Sequence, residues 1–131
     1  MKLFFKILLI LFLNLPICFA IQSNRGLDPT QDFYIDAIKN ARMHNNMGNI
    51  HFENKNYIAA LKEYQIAYNL TYKTNAASTY LYNISKCLIK MNYYSKAQNA
   101  ILEAIKKDCM NITYYSTLVD CYVALDTYEY E

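Results

Sequence analysis

Tryptophan is absent from this 131-residue chain, and only two glycines and two prolines interrupt it. So few breakers favour helices, and no run alternates polar and apolar residues as a strand would. There is no glycine-rich phosphate loop, no Cys-x-x-Cys pair, and no serine, histidine and acid set at a plausible nucleophile turn. Those absences point away from an enzyme, and no cofactor is implied. Acid is missing from the first twenty residues, which hold 16 apolar side chains and two lysines. Lys2 and Lys6, an apolar stretch from Ile7 to Leu15, then Pro16, Cys18 and Ala20 form the pattern of a signal peptide cleaved after Ala20. The apolar stretch is short for a membrane span.

Beyond residue 20 the chain carries 11 basic and 11 acidic side chains, so its formal charge is zero. Neutrality argues against a footprint for nucleic acid or for an anionic membrane. Export predicts a secreted or lumenal protein, periplasmic if bacterial. Three cysteines remain after cleavage, Cys87, Cys109 and Cys121, an odd number that excludes a disulfide scaffold. Cys109, in a turn, is the thiol expected to be most open.

Residues 21–28 read as a disordered lead-in, and Asp28–Pro29 as a helix start. Five helices are then expected, near 30–54, 57–70, 77–90, 94–107 and 112–125, with Gly48 inside the first because something packs closely on it. Stripes such as Tyr57, Ala60, Leu61, Tyr64, Ala67 and Tyr68 set small residues into a contact face.

An internal repeat is the most informative feature. Tyr57, Ala60, Tyr64 and Ala67 correspond to Tyr94, Ala97, Ile101 and Ala104, 37 residues later. Leu81, Ile84, Ser85 and Leu88 recur as Tyr115, Leu118, Val119 and Tyr122, 34 residues later. A three-residue insertion at Asn75–Ala77 reconciles the two spacings.

In these residues the chain resembles the tetratricopeptide repeat family. Gly48 and Ser85 match its small position, Tyr57 and Tyr94 its tyrosine after the turn, and Ala60, Ala67, Ala97 and Ala104 its alanines. Tyr72 and Cys109 replace the proline that usually ends each repeat. The resemblance implies an all-α array of αα-hairpins, a TPR-like solenoid over 29–131, with repeats at about 41–74 and 78–111 and a half-repeat at 112–128. It also implies a non-catalytic interaction module, an adaptor or co-chaperone-like protein, binding a peptide or partner protein in a concave groove. The groove would be lined by Asn45, Asn49, Phe52, Tyr82, Asn83, Lys86 and Asp120. Asparagine amides suit a peptide backbone because they offer donor and acceptor together. Asn49 and Asn83 match the asparagines of carboxylate-clamp members, but Asn45, Thr113 and Thr117 stand where the clamp has basic residues, so that clamp is not expected.

The half-repeat presents Leu118, Val119, Tyr122 and Leu125 with no sixth helix to cover them. This predicts the alternative role, a self-associating structural or truncated repeat protein, a homo-oligomer assembled through these residues. His44 and His51, seven apart, are expected to pack rather than bind metal, and Glu53, Glu63 and Glu103 to lie on solvated faces. Sequons at Asn69, Asn83 and Asn111 are candidate glycan acceptors.

Overall fold

Over residues 31–128, apolar side chains three and four residues apart, with few breakers between them, wind into five helices. The computed structural model describes residues 31–128 together with Phe5, Lys6, Leu8 and Leu9. Otherwise the expected signal peptide and lead-in, with the Asp28–Pro29 start, lie outside the described residues. The helices are α1 (Gln31–Glu53), α2 (Tyr57–Thr71), α3 (Ala77–Lys90), α4 (Tyr94–Lys107) and α5 (Ile112–Tyr128). Among the described residues there is no strand, and no helix is long and apolar enough to cross a membrane.

Each helix packs on the next in the chain, and α3 also touches α5. The protein is therefore an all-α array of αα-hairpins, α1–α2 and α3–α4, followed by α5. The turns inside the two hairpins share a backbone. Lys55 and Asn92, 37 residues apart, both hold left-handed φ near +60°. That geometry ends a helix by letting its last carbonyls bond beyond the left-handed residue. Asn56 N–H donates to His51 O and Tyr93 N–H to Leu88 O, again at matching places. Asn56 also caps α2, its side chain accepting from Ala59 N–H at 3.3 Å, whereas Tyr93 gives α4 no such cap.

The expected three-residue insertion is spread out. The α2–α3 connection covers 72–76 and the α4–α5 connection 108–111, while in the repeat register α2 ends one residue later than α4 and α3 starts one residue earlier than α5. Ala77 belongs to α3 and is fully buried.

Alanines set the close approaches. Ala60, Ala67, Ala97 and Ala104 are fully buried, all on the second helix of a hairpin. Ala60 and Tyr64 form one core with Ile84, Cys87, Leu88, Ala97 and Cys121. Leu81, Ile101, Ala104, Ile105, Tyr114 and Leu118 form another. Gly48 is required by Tyr64: a Cβ there would lie 2.5 Å from Tyr64 Cε1. The phenol this glycine admits is 1% exposed, and its O–H donates to Asn49 Oδ1 at 2.7 Å. Burial first, then the Cys87 thiol and Glu53, push its pKa up to about 12.

Candidate functional site

The first helix of each repeat puts one residue per turn on the face shared by α1, α3 and α5. Asn49, Lys86 and Asp120 hold the same register position on those helices, 37 and 34 residues apart. The face thus runs from a neutral amide to a cation to an anion. The sequence already contained that order, because the repeat register alone aligns the three.

Lys86 is the best-defined member. Its Nζ lies 5.3 Å from the centre of the Phe52 ring on α1 and 4.7 Å from that of Tyr82 on α3. Tyr82 in turn stacks at a tilt on Tyr114 of α5, centroids 5.3 Å apart, and Phe52 meets Tyr57 edge-on at the same distance. Aromatic faces are electron-rich and attract an ammonium, more strongly where water is thin. Lys86 is half-buried, and burial holds its pKa below the ordinary lysine value, the Cys87 thiol pulling the other way. Among the described residues no carboxylate lies within ion-pair distance of its Nζ, the ion pairs being His44–Glu63 and Lys106–Glu103.

Asn49 is exposed, its Oδ1 taken by Tyr64 while its NH2 faces no partner among the described residues. Asp120 is exposed on α5. Asn45 and Asn83 meet each other instead: the Asn83 amide donates to Asn45 Oδ1 at 2.7 Å, tying α3 to α1. At 6% exposure Asn83 is a buried strut. The structure thus corrects two expectations for it, a groove donor and a glycan acceptor, because the amide nitrogen that would serve either is enclosed and bonded. Sequence spacing had put it on the right helix but one step too far outward. Asn69 is exposed, and Asn111 is half-buried with its Oδ1 accepting from Thr113 N–H at 3.1 Å.

The interface residues expected on α5 separate in the same way. Leu118, 3% exposed, is part of the core with Ile101 and Tyr114, so α4 and α3 already use it. Tyr122 packs against that core and is half-buried, as are Val119 and Leu125. Leu125 lines an open cavity of about 550 Å³ with Met91, Asn92, Tyr93, Tyr94, Ser95 and Lys96.

One polar contact escaped the sequence. His44 Nδ1 and Glu63 Oε2 lie 2.7 Å apart between α1 and α2, both side chains half-buried. His44 is therefore no simple packing residue, and Glu63 is not on a solvated face. Their repeat equivalents, Leu81 and Ala100, are apolar, which is the signal that could have paired them. Cys87 and Cys121 are free and fully buried, each thiol pushed up to about 11 mainly by burial. The Lys86 charge opposes that rise at Cys87, and Asp120 adds to it at Cys121. Cys109 is half-buried and already has a bonding partner, so the turn does not leave it open. Among the described residues no three His, Cys, Asp or Glu side chains could hold a metal ion.

Among known proteins, no family model matches the chain and no curated protein matches it.

Proposed function

We propose that this chain is an exported, non-catalytic interaction module of the tetratricopeptide-repeat type. It takes an extended segment of a partner protein across the face shared by α1, α3 and α5. The observation that carries this reading is Lys86, an ammonium held between Phe52 and Tyr82 with no carboxylate beside it among the described residues. A partner segment with an acidic side chain satisfies that charge, and a basic side chain further along it meets Asp120. The Asn49 NH2 offers the partner's backbone a donor at the α1 end. The register of Asn49, Lys86 and Asp120 supports the reading because it repeats with the helices, as a surface for an extended chain must.

The test is affinity capture from the native host with the processed chain as bait, beside a bait carrying Lys86→Gln and Asp120→Asn. These substitutions remove charge while keeping side-chain volume. A protein held by the first bait and lost from the second supports the groove and names its partner. Equal capture by both, or no partner on either, counts against it.

A further inference from the structure

The interval between the first helices of the repeats restricts the shape of chain that can lie across them. α3 meets α1 through the Asn83–Asn45 amides and through Lys86 against Phe52. It meets α5 through Tyr82 on Tyr114 and through the Tyr114 hydroxyl, 3.3 Å from Ser78 Oγ. Helices in side-chain contact lie about 8–10 Å apart. Asn49, Lys86 and Asp120 share a register position, so they follow one another along the face at about 8–10 Å.

A chain bound across all three must return a side chain to the face at that interval. A β-strand does so after two residues, at about 6.7 Å, or after four, at about 13 Å. Neither fits. A polyproline-II chain has about three residues per turn and rises about 3.1 Å per residue, so it returns after about 9 Å. An α-helix returns after about seven residues, at about 10.5 Å, but its backbone groups bond one another. It would give nothing to the Asn49 NH2, which faces no partner among the described residues. A polyproline-II backbone has no internal hydrogen bonds and presents its carbonyls to that amide.

The aromatic rings favour the same conformation. Phe52 and Tyr82 are half-buried, so each keeps part of its ring open beside the Lys86 ammonium. Proline rings pack on such faces, and aromatic-lined grooves are a recurring seat of proline-rich segments. Charge sets the two remaining positions, an anion at Lys86 and a cation at Asp120. Resting on the groove reading, we infer that this face binds a polyproline-II segment of a partner protein. The segment carries an acidic and a basic residue three positions apart, with proline between them.

The experiment is fluorescence anisotropy of labelled, terminally blocked peptides with the processed full chain. In one peptide a glutamate and a lysine flank two prolines within a longer run of prolines; in a second they flank three. The first is expected to bind about fivefold more tightly, since the second satisfies only one charged pair at a time. Replacing the prolines of the first with glycines should weaken it by a similar factor, because a flexible chain must be ordered on binding. Asp120→Asn, an exposed change, should remove the preference between the two spacings, as should Lys86→Gln. Helical content and unfolding temperature are checked for each, so that misfolding of one variant leaves the other to decide. Equal binding of the two spacings, tighter binding of the glycine peptide, or no binding of any peptide overturns the inference. So does a spacing preference that survives both substitutions. The capture experiment reads the groove separately: a partner lost with Lys86→Gln and Asp120→Asn upholds the groove where the peptides fail, and failure of both removes both.

Discussion

In the first hairpin a glycine on α1 receives a tyrosine from α2, while in the second a serine and an isoleucine stand in those places. Gly48 leaves room for Tyr64, and Ser85 and Ile101, both fully buried, divide the same space more evenly. The exchange extends outward. His44 and Glu63 bond where Leu81 and Ala100 are apolar, and Ile66 and Leu70 are exposed where Glu103 and Lys107 are polar. One backbone plan therefore tolerates opposite assignments of bulk and polarity, provided that each pair is exchanged together. Position within a repeat fixes where a side chain points; its partner fixes what it can be.

High pH should break the comparison most completely, because the second hairpin and α5 hold the thiols. Cys87 and Cys121 have folded-state pKa values raised from about 9 to about 11. A raised pKa means that the folded state favours the neutral thiol. The stability gained is complete below pH about 9 and lost as pH rises through about 11. Circular dichroism should show a helix loss across that window, and Cys87→Ala with Cys121→Ala should delay it toward the range of Tyr64, near 12. Unchanged alkaline unfolding in the double variant would contradict the thiol account.

Gly48→Ala comes next, at about 2–3 kcal/mol of destabilisation in urea unfolding, since the methyl group must displace a buried ring. Gly48→Ser combined with Tyr64→Ile imports the second hairpin's pair and should recover most of that loss. Additive losses would mean that the two positions do not share one space. His44→Leu alone should cost about 1–2 kcal/mol by leaving Glu63 half-buried and unpaired. Adding Glu63→Ala, which completes the second hairpin's choice, should bring thermal stability back to within about 1 kcal/mol of wild type.

Smallest is a gain. Lys55 holds the left-handed backbone that Asn92 holds in the equivalent turn. Lys55→Asn should raise stability by about 0.5 kcal/mol, because asparagine enters that region with less steric conflict. A loss on calorimetry would show that Lys55 has a role beyond its turn.

Much of the helical layout was legible in the sequence. The periodicity of the apolar residues places α3 and α4 at their observed ends and α1 and α2 within a residue or two. Small residues mark the close contacts: a Cβ at Gly48 would meet the Tyr64 ring, and Ala60 and Ala97 are fully buried. The site was legible only in part. Register selects the helix face, which is why Lys86, Tyr82 and Phe52 do come together. It does not resolve the inward or outward lean of neighbouring residues, so Asn83 was read as open when it is tied to Asn45. Pairing across helices, as in His44 with Glu63, depends on the angle at which α1 and α2 approach, and single-sequence spacing carries no such angle.

Most helix contacts in this array join helices that are neighbours along the chain, the longer reach being that of α3 to α5. Loop closure is therefore cheap at every step, and the folding reaction should belong to the fast, low-contact-order class. The same arrangement lets structure grow from either hairpin and spread outward one helix at a time. Pulled from its end, the array would come apart in the reverse sense, α5 peeling from α4 and α3 while the glycine-locked first hairpin holds to the last.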